Sequence, residues 1–355
     1  MAEKGTIISG IGMMTAVGIG AKQTAASVRA GISRFSETSI CDKHFDPFVM
    51  SILPDEVLPP VKPEIDQIVG LTARQLRMLR LAAPALEEVL ADTRDIEKIP
   101  IYLGVPEPLQ DRPKVVDDEF IKYLGMQTGF RFNVGESELF PLGRASGLAA
   151  IQKAMQVLSS GDHQHVIVGG VDTYLDLYLL GTLDMENRIL GNFVMDGFIP
   201  GEGAGFLLLS SPDVAEKSGE NPVVQIQAVG VGYESGHLYS EEIYQGNGLS
   251  EAFQAAFDSS DTSLGNIRSV FAGLNGENFG AKEWGVAYLR SKSYFEEEFR
   301  LEHPIDCFGD TGAALGPLMT GLSAIGMKKN YIESPCLIWC SSDYGTRAAL
   351  TMALF

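Results

Sequence analysis

The chain has 355 residues, 45% of them hydrophobic, enough for a large core in one big domain or in two intimately packed halves. Its 27 Lys and Arg against 46 Asp and Glu leave a net charge of −19. That balance argues against binding nucleic-acid phosphates or anionic membranes, and it makes contact with another strongly acidic protein costly unless a local basic patch exists.

No stretch approaches the roughly twenty apolar residues of a bilayer span, and the start MAEKGTIISGIG lacks a basic region followed by an apolar run and a cleavage site. A cytoplasmic chain is therefore expected. The cysteines fit that reading: Cys41, Cys307, Cys336 and Cys340 show no disulfide framework. Cys336 and Cys340 stand four apart in a predicted strand, too distant for one metal or an unstrained bridge.

Residues 6–12 read as a strand ending in a glycine turn, followed by a helix near 22–31. Gly10-x-Gly12 lacks the third glycine of a dinucleotide loop and is read as a structural turn. Residues 33–70, with prolines at 47, 54, 59, 60 and 63, read as irregular. Leu76, Leu79, Ala83, Leu86 and Leu90 form an apolar stripe that predicts a helix over 72–92. A short strand is expected at 99–105, then a polar loop to about 117.

Leu148, Ile151, Met155 and Leu158 recur at helical spacing, and Ser159-Ser-Gly161 closes the helix they predict. A buried strand should follow at 165–170, leading to a glycine turn. After an apolar helical stretch, the glycines between 193 and 209 permit close backbone approach before another strand. Beyond residue 221 the alternation repeats: strand 223–231, helix 249–258, strand 269–274, a glycine-rich helix over 312–328, and strands 335–340 and 348–355. Alternation twice over predicts α/β layers from two similar halves, residues 1–215 and 216–355, with the boundary in the polar connection 211–221.

Several segments together resemble the β-ketoacyl synthases of the thiolase superfamily, and the likeness covers most of the chain. ISGIGMMTAVGIGAKQTAASVRAG is similar to the family's opening strand, turn and helix. GRASGLAAIQKAMQVLSSGDHQHVIVGGVD resembles its nucleophile turn, buried helix and following strand. MDGFIPGEGAGFLLL resembles its Asp-Gly-Phe…Gly-Glu-Gly-Ala-Gly block, GDTGAALGPLMTGLSAI its glycine/alanine helix entry, and SSDYGTRAAL its terminal glycine loop. The resemblance implies a thiolase-like fold, layered αβαβα.

The family's chemistry needs a cysteine thiolate at a helix N-terminus and two histidines. By resemblance the cysteine position falls on Arg144, the first histidine on Asn275 and the second on Asp310, while Ile305 takes the place of an upstream lysine. The gating loop has become Ser341-Ser-Asp-Tyr-Gly345. A guanidinium is no nucleophile at neutral pH, and a carboxamide carries no titratable proton. Ser146 is the remaining nucleophile candidate, but it lies outside a Gly-x-Ser-x-Gly elbow and has no histidine to place beside it; a capping or packing role is expected.

No catalytic residue, cofactor or metal is therefore expected. Arg144 itself admits two readings: a plug paired with Asp310, since a buried unpaired guanidinium is very costly, or a receptor for an anionic ligand.

Other polar features read more simply. His163 and His165 mark a surface strand start, since no third metal ligand stands near. His237 lies in a tyrosine-rich loop with Tyr233, Tyr239 and Tyr244, at a region that by resemblance borders the site's mouth. Glu296-Glu-Glu298 reads as a solvated helix face.

Three function classes follow. The first is an inactive ketosynthase-like protein working by interaction, as a homodimer or as a heterodimer like the chain-length-factor subunits, or as an accessory protein of the kind that accompanies type VI secretion effectors. The second is a divergent acyltransferase acting on acyl thioesters. The third is an acyl-ligand sensor. The lost gate and the acidic charge count against an acyl carrier protein as partner.

Overall fold

A computed structural model describes residues 5–91, 93, 96–110, 112–214 and 223–355 of the chain. In chain order the strands are β1 (Thr6–Thr15), β2 (Gly18–Ile19), β3 (Ser36–Cys41), β4 (Pro47–Met50), β5 (Ile101–Gly104), β6 (Glu138–Phe140), β7 (His165–Thr173), β8 (Glu202–Ser210), β9 (Val224–Tyr233), β10 (Ile267–Ala272), β11 (Phe295–Glu302), β12 (Cys336–Ser341) and β13 (Thr346–Leu354).

The main sheet runs β11-β10-β12-β13-β9-β1-β8-β7-β5-β6. Its two ends match. In one, β6, β5 and β7 are parallel and β8 and β1 follow antiparallel. In the other, β11, β10 and β12 are parallel and β13 and β9 follow antiparallel. Among the described residues, the strand pairing that joins them is Thr6 with Ile226 and Ile7 with Gln225. This is the mixed α/β, thiolase-like architecture, and the chain connection proposed as the boundary between halves falls largely outside the described residues.

The helices Ser146–Ser160 and Leu315–Lys328 lie between the two half-sheets, in one core with Leu207, Leu209, Ile226, Ile338 and Leu350. A helix enclosed on all sides must be apolar all round. LGPLMTGLSAIGMK meets that demand, and its two buried hydroxyls turn back on their own helix: Thr320 donates to the Gly316 carbonyl at 2.8 Å and Ser323 to that of Thr320 at 2.9 Å. Outside one half-sheet lies Ala73–Leu90, begun by a reciprocal Thr72–Gln75 cap. Outside the other lies Asn247–Ser259, and Trp339 stacks there on Trp284 at 5.8 Å.

The glycines expected to make turns sit instead inside strands. β1 runs through Gly10 and Gly12 to Thr15 because the Ala73–Leu90 helix presses on it; a Cβ at Gly12 would lie 1.9 Å from the Ala85 carbonyl oxygen. β7 likewise continues through Gly170, where a Cβ would stand 2.1 Å from the Ala313 oxygen, and β8 takes in Gly203 and Gly205, while Gly197 and Gly201 precede it as expected. Gly12→Ala should therefore destabilise the fold by about 2 kcal/mol through overpacking, read as a lower urea midpoint at unchanged slope.

Other corrections are local. Residues 33–70 are not wholly irregular: β3 and β4 pair as a small hairpin sheet, and Pro63–Asp66 forms a short helix. Glu296–298 lies on β11, an outer strand, where the exposed carboxylates discourage pairing with another chain. The helices Phe120–Thr128 and Asn278–Ser291 had no clear signal; the second is weakly amphipathic, with only Glu283, Ala287 and Ser291 buried. Among the described residues no helix is long and apolar enough to cross a membrane.

Candidate functional site

Arg144 stands in the 3-10 turn Gly143–Ala145 that leads into the helix Ser146–Ser160. Ser146 Oγ pins that turn by donating to the Gly143 carbonyl at 2.5 Å, and the hydroxyl is fully buried. The opposite turn, Gly312–Ala314, opens the second central helix, and Asp310 precedes it with no exposure at all. Facing turns at the ends of two adjacent central helices are what bring residues 166 apart in sequence into contact.

Arg144 Nε donates to Asp310 Oδ2 at 2.6 Å and Nη1 to Asp343 Oδ1 at 2.6 Å, while Nη2 lies 3.9 Å from Glu277 Oε2. A second arginine completes the cluster. Arg188 donates twice to Glu277, at 2.7 and 2.9 Å, and twice to Asp343, at 2.8 and 2.9 Å. Asn275 donates to Glu277 at 2.8 Å and to Asp310 at 3.1 Å. The Phe198 ring lies under both guanidinium groups, 5.5 Å from each.

Three carboxylates thus face two buried guanidinium groups. Burial works against each arginine's charge, but Asp310 and Asp343 hold Arg144, and Asp343 and Glu277 hold Arg188, ionised well above the ordinary value. Burial also disfavours an ionised Asp343, yet Arg144 and Arg188 together keep it far below the usual carboxylate range. Glu107 is different: burial first, then the charge of Asp343, push its carboxyl up to about 7.

The arrangement leaves little reactive chemistry. Asp310 accepts from Arg144 and Asn275 on one oxygen and from the Gly312 N–H at 2.9 Å on the other, so it is not a free base. Cys340 lies behind the cluster, where burial raises its thiol strongly and suppresses the thiolate. Arg144 separates two small cavities, about 30 Å³ beside Asn275 and Trp339 and about 50 Å³ beside Glu107 and Tyr174. No group of three or more His, Cys, Asp or Glu among the described residues is arranged to hold a metal.

Arg144, Asn275 and Asp310, drawn from distant stretches, meet in this cluster. Ile305 is buried in the central core. Residues 341–345 supply Asp343, the hub between the arginines. His237 and Tyr239 rest on the Tyr344 ring at 5.6 and 5.2 Å, and Tyr239 accepts from Arg188 at 2.7 Å, so the tyrosine loop covers one side of the cluster. Tyr244 instead packs on Phe279, and Tyr233 is 62% exposed. His163 pairs with Glu136 and His165 with Ser210, so the two do not act together.

Sequence reading missed Arg188, Glu277, Asp343 and Glu107. One signal was available: a guanidinium has five donors, and a single aspartate cannot satisfy a buried one. Glu277 stands two residues after Asn275, and Asp343 lies within the altered loop. Arg188 had no such marker.

Comparisons with known proteins find ketosynthase relatives and structural neighbours. A family model described as "Beta-ketoacyl synthase, N-terminal domain" matches residues 143–215. The chain is 23% identical to 3-oxoacyl-[acyl-carrier-protein] synthase 2 of Staphylococcus aureus (strain COL) over 293 residues, 72% of this chain and 69% of that protein. Its fold resembles the ishigamide ketosynthase/chain length factor, with a TM-score of 0.76 at 15% identity over the whole of both chains. It also resembles the ketosynthase from module 6 of the bacillaene synthase from Bacillus subtilis 168, with a TM-score of 0.78 at 14% identity over 99% of this chain and 72% of that one.

Proposed function

Because this chain is a β-ketoacyl synthase-like protein of the thiolase superfamily, we propose that it is a non-catalytic member that works as a partner subunit in a homodimer or heterodimer. One observation carries the reading: the residue at the nucleophile turn is a buried arginine, held by Asp310 and Asp343 at 2.6 Å each. A condensing enzyme needs a polarisable nucleophile there with access to a thioester carbonyl. Arg144 supplies no such nucleophile, and its guanidinium is buried and held by carboxylates.

The inactive-subunit role draws support from the structural likeness to a ketosynthase/chain length factor, whose description pairs a synthase with a second subunit. The ion network around Arg144 fits a subunit that contributes fold rather than chemistry.

Incubating the pure chain with acyl and malonyl thioesters and measuring intact mass tests this directly. No covalent adduct is expected, and no release of carbon dioxide from the malonyl thioester. A stable acyl adduct mapped to Ser146 would overturn the proposal.

A further inference from the structure

We infer that the cavity between Arg144 and Trp339 binds a small primary amide. The inference adds a ligand to the cluster described above and rests on the reading that this cluster is not catalytic.

The cavity has a volume of about 30 Å³. Trp339 and Ser341 line it from β12, Glu283 from the helix Asn278–Ser291, and Arg144 from its turn. Other polar groups on its wall are already engaged. Asp343 takes Arg144 and Arg188 on one oxygen and Arg188 on the other. Glu277 takes Arg188 on both oxygens. Asn275 donates to Glu277 and Asp310 and accepts from the Glu277 N–H at 3.1 Å.

Four buried atoms of the wall residues make no hydrogen bond among the described residues: Arg144 Nη2, Trp339 Nε1, Ser341 Oγ and Glu283 Oε2. They belong to an enclosed site, since Trp339 has no exposure, Glu283 1% and Arg144 6%. Arg144 Nη2 lies 3.9 Å from Glu277 Oε2, too far for a hydrogen bond. Ser341 Oγ faces Glu283 without closing a hydrogen bond to it, and the other Glu283 oxygen is taken by Arg347 Nε at 2.7 Å. A buried indole N–H normally finds an acceptor, and a buried polar group left without a partner is costly.

These atoms define what would satisfy them. The occupant must accept from a guanidinium and an indole N–H, and it must donate to a carboxylate. An anion would meet Glu277, Glu283 and Asp343, and a cation would meet Arg144, so the occupant is neutral. A ketone accepts but cannot donate. A carboxamide does both from one planar group: its oxygen accepts two donors, and its NH2 serves Glu283 and Ser341. Size agrees, because one water needs about 10–15 Å³ and the cavity therefore has room for about three non-hydrogen atoms, the number in a carboxamide head.

The chain holds two tryptophans, Trp284 and Trp339, so a nitrogen-15-labelled sample gives two indole N–H resonances, and Trp284→Phe identifies the one from Trp339. Acetamide should shift the Trp339 resonance saturably at millimolar concentration, with acetone and acetate at least tenfold weaker. Ser341→Val, which removes the hydroxyl and adds bulk, should weaken acetamide at least tenfold. Ser341→Ala should weaken it at least threefold, each variant being checked for native circular dichroism. The inference is overturned if acetamide gives no saturable shift, which assigns the cavity to water alone. It is also overturned if acetone or acetate binds equally, or if both variants bind as the parent does. The titration contains no thioester, so its failure leaves the acylation result standing, and an acyl adduct would be read by mass alone.

Discussion

Arg144→Ala is expected to destabilise the fold by about 3–5 kcal/mol, the range seen when one partner of a buried ion network is removed. The alanine leaves Asp310, with no exposure, facing only Asn275 and the Gly312 N–H, and leaves Asp343 to Arg188 alone. The loss comes less from a missing contact than from carboxylates kept out of water without their cation. Urea unfolding near pH 7 checks the size of the effect. The origin shows in the Arg144→Met/Asp310→Leu double variant, which removes charge from both sides and should recover part of the loss. If Arg144→Ala costs less than about 1 kcal/mol, the guanidinium is not the element that seals this site.

The second large effect is pH-dependent and belongs to Glu107. Its folded carboxyl titrates at about 7 against the ordinary 4.5, so folding favours the protonated acid. That favourable contribution is complete below about pH 4.5 and is lost as the pH rises through 7, a decline of about 3 kcal/mol. The groups facing the carboxyl are Asp343 and the Tyr344 N–H on the 341–345 loop and Arg144 on the turn; the last two only partly offset burial and the Asp343 charge. Glu107→Gln should therefore stabilise the chain by about 3 kcal/mol at pH 9 and change it little at pH 4.5, measured as unfolding midpoints across that range.

Asp343 contributes in the opposite sense. Arg144 and Arg188 depress it against the pull of burial, so its stabilisation is present above about pH 4 and fades as the pH falls through its folded value. The parent chain should be most stable between those two limits.

Much was determined by the sequence alone. The stripe through Leu148, Ile151 and Leu158, the apolar run after Gly312 and the twofold strand–helix alternation are local patterns, and local patterns report which face of an element is buried. Side-chain identity is also local: an arginine at position 144 cannot supply a cysteine's chemistry whatever surrounds it.

Only the tertiary structure decided the rest. Gly10, Gly12 and Gly170 read alike as turn formers or as strand positions, because the difference lies in how closely another element's backbone approaches them. The neutralisation of Arg144 was undecidable for a related reason. Charges act through space, and the acids that hold this arginine, Asp310 and Asp343, come 166 and 199 residues later in the chain. Their proximity is set by two half-sheets enclosing two central helices, and no window of sequence contains that distance.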